Sequence, residues 1–176
     1  SDLSPSGDAE AIQGGVLPNW TGGFSTTANY KGFDFRAQLT FEDGHSIYND
    51  TRRFLMLYAN FGLHENALDR WQEPGDQTDV PRAVFGDSED NSTRESTRFL
   101  EDGGYLRLQN VTLGYTLPQS LTNRLGVSSL RIYFQGSNLF TLDDTSIGDP
   151  EGSTGGQTDP LDRGELFFTP PQARSF

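Results

Sequence analysis

The residues able to do chemistry are mostly carboxylates and guanidinium groups. Asp143-Asp144 and Asp149-Pro150-Glu151 could supply oxygen ligands to calcium. They could also mimic the acid and nucleophile of a glycosidase, which must sit at a fixed separation across a sugar. The twelve-residue calcium loop signature is absent, and both clusters fall in Gly-rich stretches, so they read as solvated acidic loops. Arg52, Arg53, Arg70 and Arg82 could grip a substrate carboxylate; pairing with surrounding Asp and Glu is the simpler reading, at about 0–1 kcal/mol for an exposed pair. Trp20, Trp71 and the Tyr residues could stack on sugar rings. His45, beside a Gly-rich turn, reads as a surface residue. With two His and no Cys, zinc sites, clusters and thiol chemistry have almost nothing to use. The expectation is no enzyme, no metal and no cofactor.

Such residues need elements to hold them. The chain has 176 residues, with 25 Asp plus Glu against 13 Lys plus Arg, a net charge of -12. Nucleic acid is a poor partner for that charge. No apolar run reaches the roughly 18 residues of a membrane helix. Apolar residues make up 33% but aromatics 12%, with 20 Gly, which suits a β protein without a large oily core. No signal peptide opens the chain and Ser1 is no translation start, so a processed product, an engineered piece or a fragment is expected.

Residues 1–19 read as loop. A hairpin follows, with strands Trp20–Tyr30 and Phe33–Phe41 about a Lys31-Gly32 turn. In the second strand Phe33, Phe35, Ala37, Leu39 and Phe41 alternate with Asp34, Arg36, Gln38 and Thr40, so one face is apolar and the other polar. A tilted strand of about nine to eleven residues spans a bilayer. Residues 43–104 form a long polar excursion. Within it, Arg53–Trp71 carries helical spacing (Phe54, Leu57, Tyr58, Phe61, then Ala67, Leu68, Trp71) interrupted by Gly62, and 72–98 read as irregular loop. Strand pattern returns at Tyr105. Leu106 and Leu108 have the opposite parity to Val111, Leu113, Tyr115 and Leu117, which predicts a bulge, or a crossing out of the membrane, near Gln109-Asn110. Pro118 ends that strand, Leu121–Leu125 suggest a helical turn closed by Gly126, and Leu130–Thr141 make a fourth strand. Residues 143–165 form another acidic loop. Short turns alternating with long loops suit an outer-membrane barrel.

The stretch Leu100–Tyr115 (LEDGGYLRLQNVTLGY) resembles the C-terminal signature of SusC/RagA-type TonB-dependent outer-membrane transporters. Further pieces resemble the family in the same order: Pro18–Gly23, Arg70-Trp71 with Pro74–Asp76, Asp79–Arg82, Gly136–Thr141, Asp149–Glu151 and Pro171–Phe176. The resemblance covers nearly the whole chain. It implies an all-β fold, the last few strands of a transmembrane barrel of about 22 antiparallel strands, with long outer loops containing short helices. It implies that the plug, the TonB-contacting N-terminal region and the closing strand lie outside residues 1–176, and that 43–104 is a long extracellular loop. It also implies nutrient import across the outer membrane of a Gram-negative bacterium. The partners would be a SusD-like surface lipoprotein, the TonB complex, outer-membrane lipid, and glycan or oligopeptide cargo. Lumen-facing candidates are then Asp34, Arg36, Gln38 and Thr40; partner-contact candidates are Arg70, Trp71 and Arg82. The rival readings are a soluble carbohydrate-binding β-sandwich and a secreted glycosidase fragment.

Overall fold

The computed structural model describes residues 15–58, 63–84, 86, 94, 96–152 and 164–176. Phe61 and Gly62 of the expected helices, residues 1–14, much of 85–95, and 153–163 of the second acidic loop lie outside them. The chain divides into two compact units. The sheet unit comprises Pro18–Asp43, Gly104–Asp143 and Gln172–Phe176; the loop unit comprises the described parts of Ser1–Leu17, Gly44–Gly103 and Asp144–Pro171.

The sheet unit is an antiparallel four-stranded sheet. Its strands are β1 (Trp20–Tyr30), β2 (Phe33–Asp43), β5 (Tyr105–Thr116) and β6 (Arg131–Asp143), in the order β1-β2-β5-β6. Lys31 (φ 46°) and Gly32 (φ 88°) both lie in the left-handed region, the two-residue turn whose twist matches a hairpin. A Cβ on Gly32 would also stand 2.7 Å from the Thr116 carbonyl oxygen. Helix α2 (Gln119–Thr122) and a 3₁₀ turn over Asn123–Leu125 follow Pro118 and end on Gly126 at φ 70°. At the free edge of β6, Ser137 and Ser175 exchange backbone hydrogen bonds of 3.0 and 3.2 Å.

Register explains the parity change in β5. Ala37 faces Val111 and Leu39 faces Leu108, so Gln109 is the extra residue, a β-bulge where one was expected. The bulge returns Leu106 and Leu108 to the face shared by Val111, Leu113 and Tyr115. β6 compensates with its own irregularity: Asn110 faces Ser137, but Leu108 faces Phe140. Asn138 takes φ 53°, which Asn tolerates better than most residues, and Leu139 folds over Gly136, where a Cβ would stand 2.6 Å from Leu139 Cδ2. The Gly136–Thr141 motif is therefore the sequence of a bulged strand.

The resulting faces differ sharply. Phe24, Phe35, Leu113, Ile132, Phe134, Phe140 and Leu142 share the apolar face, and Phe24 (62%) and Ile132 (63%) are largely exposed. Ser25, Thr27, Asp34, Arg36, Gln38, Asn110, Thr112, Arg131 and Gln135 share the polar one.

The loop unit carries the short helices expected within 43–104 and, beyond them, a small sheet. Short strands β3 (Ser46–Asn49), β4 (Leu100–Asp102) and β7 (Glu165–Leu166) form a sheet in the order β4-β3-β7, with β3 and β7 parallel. The helical content is α1 (Asp50–Leu55) and 3₁₀ turns at Glu65–Asp69 and Thr97–Phe99. Met56, Ala67, Val80 and Phe99 form a buried core against which Tyr48 and Tyr58 pack. The Phe54 ring meets Phe167 and Phe168 edge-on at 6.0 and 5.7 Å, geometries favoured by the ring quadrupole. His45 is buried, not at the surface as expected. Gly103 donates to its carbonyl at 3.0 Å, and a Cβ on Gly103 would strike its ring. Among the described residues no helix is long and apolar enough to cross a membrane, which has no bearing on crossing by strands.

Candidate functional site

Two regions carry the polar side chains that matter. On the polar face of the sheet, Asp34 accepts from Arg131 in a fork: Nη2 to Oδ2 at 2.5 Å and Nε to Oδ1 at 3.1 Å. Gly114 leaves room for this pair, since a Cβ there would stand 2.6 Å from Arg131 Nη2. Arg36 is exposed opposite Thr112. Gln38 joins an amide chain at the bulge: Gln38 Nε2 donates to Gln109 Oε1 (3.2 Å), and Ser137 Oγ donates to Asn110 Oδ1 (3.2 Å). Thr40 faces Arg107, which is only 1% exposed and donates from Nε to Thr141 Oγ1 at 3.0 Å. Asp34, Arg36, Gln38 and Thr40 thus lie on one face, in company with Arg131, Arg107 and Asn110. The alternation in β5 and β6 contained those three, but pairing them with β2 needed the register.

In the loop unit, Asn49 is a fully buried hub. Its Oδ1 caps α1 by accepting from Arg52 N at 2.9 Å, as an N-cap side chain does. Its Nδ2 donates to Glu101 Oε2 (3.0 Å) and to the Ile147 carbonyl (3.1 Å). Glu101 also accepts from Arg52 Nη1 (3.1 Å), Ser146 Oγ (2.5 Å) and Ser146 N (2.9 Å). Burial pushes the Glu101 carboxyl up, but the bonds from Ser146, Asn49 and Arg52 outweigh it and hold it below its ordinary value. The Arg52–Glu101 pair is therefore a buried one, with the carboxylate side chain 8% exposed, and not the exposed pair expected. Arg53 pairs with Asp50, one helical turn away.

The three partner-contact candidates divide. Trp71 and Arg82 line one cleft of about 480 Å³ with Asp79, Arg94, Thr97 and Arg98. Arg70 lines a different cavity of about 460 Å³ with Tyr58, Leu63, Leu68 and Val84, and donates to the Ala67 carbonyl at 3.4 Å. In the first cleft Arg98 donates to the Asp79 carbonyl at 3.3 Å and lies 4.5 Å from the centre of the Phe99 ring. Among the described residues no group of three or more His, Asp or Glu is placed to hold a metal. Asp149 is buried, its carboxylate turned to the backbone N–H of Glu151 at 3.0 Å.

The comparisons with known proteins fit this geometry. The TonB-dependent receptor P26 of Formosa agariphila is 32% identical over 151 residues, and its relative P3 from the same organism is 31% identical over 160. The chain belongs with the TonB-dependent receptors of the SusC/RagA type. Among solved structures it is similar to the RagAB peptide importer in the closed-closed state (TM-score 0.72, 28% identity, 93% of this chain and 17% of that one). It is similar also to a second RagAB structure (TM-score 0.65, 32% identity, 79% of this chain and 15% of that one). The matches to P26 and P3 take in 85% and 87% of this chain, which spans about 15% of the length of each receptor. No family model matches.

Proposed function

We propose that these residues form part of the barrel wall and outer loops of an outer-membrane TonB-dependent nutrient importer in a Gram-negative bacterium. The observation that carries the reading is the two-faced sheet. Its strands are 11 to 13 residues long, enough to cross a bilayer, and apolar residues dominate one face, on which Phe24, Phe35, Leu113, Ile132, Phe134 and Leu142 remain exposed. A soluble sandwich would bury that face under a second sheet; a barrel of about 22 strands turns it to lipid and the polar face to the lumen. Asp34, Arg36, Gln38 and Thr40 then face the transport path. The loop unit lies outside the cell and meets a SusD-like lipoprotein through Arg70, Trp71 and Arg82. The TonB complex acts through parts of the receptor beyond these residues, and the cargo is a glycan or an oligopeptide.

Single cysteines in the full-length receptor, cleared of any others and held in bilayers, test the wall. Cysteines at Phe24 and Phe134 should react with a lipid-soluble maleimide and resist a charged one. Those at Arg36 and Gln38 should do the reverse. Equal reaction of all four with the charged reagent would end the barrel reading.

A further inference from the structure

The acid excess of the chain is missing from one end of the sheet. The sheet unit, all of whose residues are described, carries six Lys plus Arg against four Asp plus Glu. Three of those acids, Glu42, Asp43 and Asp143, close β2 and β6 where the chain leaves for the loop unit. At the short-turn end the fourth, Asp34, is bound by Arg131, while Lys31 and Arg124 are exposed on the two turns. Here the register lays Tyr30, Phe33, Tyr115 and Ile132 in one row across all four strands, on the apolar face. The Phe33 and Tyr115 rings lie 4.3 Å apart, and Lys31 Nζ stands 5.2 Å from the centre of the Tyr30 ring. The apolar surface runs on past that row. Leu117 donates its N–H to the Leu130 carbonyl at 2.9 Å, so the pairing extends one step beyond the strands, and Leu130 keeps the parity of Ile132 and Phe134. In the turn itself Leu121 and Leu125, one helical turn apart, are exposed together with Val127 and Leu130.

We infer that this end of the sheet docks on the inner leaflet of the outer membrane, with Leu121 and Leu125 among the acyl chains and Lys31 and Arg124 on the phosphates of anionic phospholipids. The inference rests on the proposed barrel reading and adds to it an anchor below the wall and a headgroup preference. Aromatic rings flank the apolar band of a membrane barrel at its interfaces, the place this row takes. The apolar side chains of an interfacial helical turn sink about 5–10 Å below the headgroups, and basic ones reach up to them. Each Lys or Arg near an anionic surface favours it by a factor of about five. The leucines continue the face turned to lipid, and the carboxylate at this end is already neutralised by Arg131, so a phosphate headgroup meets cations without a competing acid.

The test uses the full-length receptor, cleared of other cysteines, in phosphatidylcholine vesicles. A fluorophore is placed on Ser128→Cys, Phe134→Cys or Gln38→Cys. Phosphatidylglycerol or phosphatidylcholine with a nitroxide high on the acyl chain serves as quencher. Both lipids should quench at 128 and 134 and spare 38. At 128 phosphatidylglycerol should associate at least about fivefold more tightly than phosphatidylcholine, a preference that high salt screens. Lys31→Gln with Arg124→Gln should bring that ratio close to one, and Lys31→Arg with Arg124→Lys should keep it. Leu121→Ser with Leu125→Ser should weaken quenching at 128 by both lipids and leave 134 unchanged. Quenching at 134 but not at 128 means that protein covers the turn, which overturns the inference while the wall stands. Equal association of the two lipids at 128 overturns it as well, and so does a preference indifferent to the double Gln variant. A label at 134 that neither lipid reaches sinks the barrel reading, and this inference with it.

Discussion

In the sheet unit Phe24 and Ile132 stand largely exposed, while in the loop unit Phe99 and Ile47 are completely buried. On the proposed barrel reading, the same residue types meet lipid in one unit and water in the other. The loop unit buries its apolar residues against one another, around Met56 and Phe99, as water requires. The sheet unit presents them in a single outward layer and keeps its hydrogen-bonded polar groups on the reverse. Apolar content alone therefore says little about where a core lies; the partner of the apolar face decides.

The strongest way to break this comparison is to truncate one aromatic in each unit. Phe99→Ala should destabilise the loop unit by about 4 kcal/mol, the usual cost of emptying a packed aromatic site. Phe24→Ala should leave the sheet nearly as stable, because its side chain fills no protein interior. Hydrogen exchange on the full-length receptor reads both. Equal losses at the two positions would mean that both faces are protein cores.

Glu101→Ala comes next. It leaves Arg52 and Asn49 without their shared acceptor, and breaking a buried pair costs about 3 kcal/mol. Faster exchange should appear around Asn49 and Ser146 and not in β1 or β2. The same group sharpens the comparison through pH. The Glu101 carboxyl lies below its unperturbed value of 4.5 in the folded protein, so its contribution is fully present above that pH. The contribution falls away as pH drops through the lower, folded value. Exchange in the loop unit should therefore rise below about pH 4.5 in wild type and lose that dependence in Glu101→Gln.

Smaller effects belong to the polar face. Gly114→Ala forces a methyl into the space of the Asp34–Arg131 pair and should cost about 1–2 kcal/mol. Asp34→Asn, which weakens a partly exposed ion pair and leaves the backbone alone, should cost less than Gly114→Ala. Thermal denaturation in detergent ranks the two; the reverse order would mean that Gly114 is not the constraint.

The sheet was legible because its pattern is local. Phe33 to Phe41 alternate without a break, and the parity change at Gln109 already indicated the bulge. The loop unit was not, because nothing periodic joins its core. Met56, Ala67, Val80 and Phe99 are widely and unevenly spaced, and the hub links Asn49 to Glu101 and Ser146 across 52 and 97 positions. β3, β4 and β7, at two to four residues each, are too short to show alternation. The shared face of Asp34, Arg36, Gln38 and Thr40 follows from period two, but Arg131 lies 97 positions from Asp34 and only the register brings it there. Trp71 and Arg82 share a cleft that no spacing rule foretold, and Arg70, though adjacent to Trp71, lines another.

The bulge at Gln109 has a consequence for how this strand can change. β5 is written in two reading frames, one before Gln109 and one after, and the extra residue is what lets both be read onto the same face. Deleting that single residue would place Leu108 and Val111 two positions apart, so both halves would fall into one frame and β5 could pair with β2 as an unbroken alternation, with the same residues on the same faces. β6 keeps a single frame, with Ile132, Phe134, Phe140 and Leu142 all at even positions, because its irregularity holds two residues, Asn138 and Leu139, opposite the one extra residue of β5.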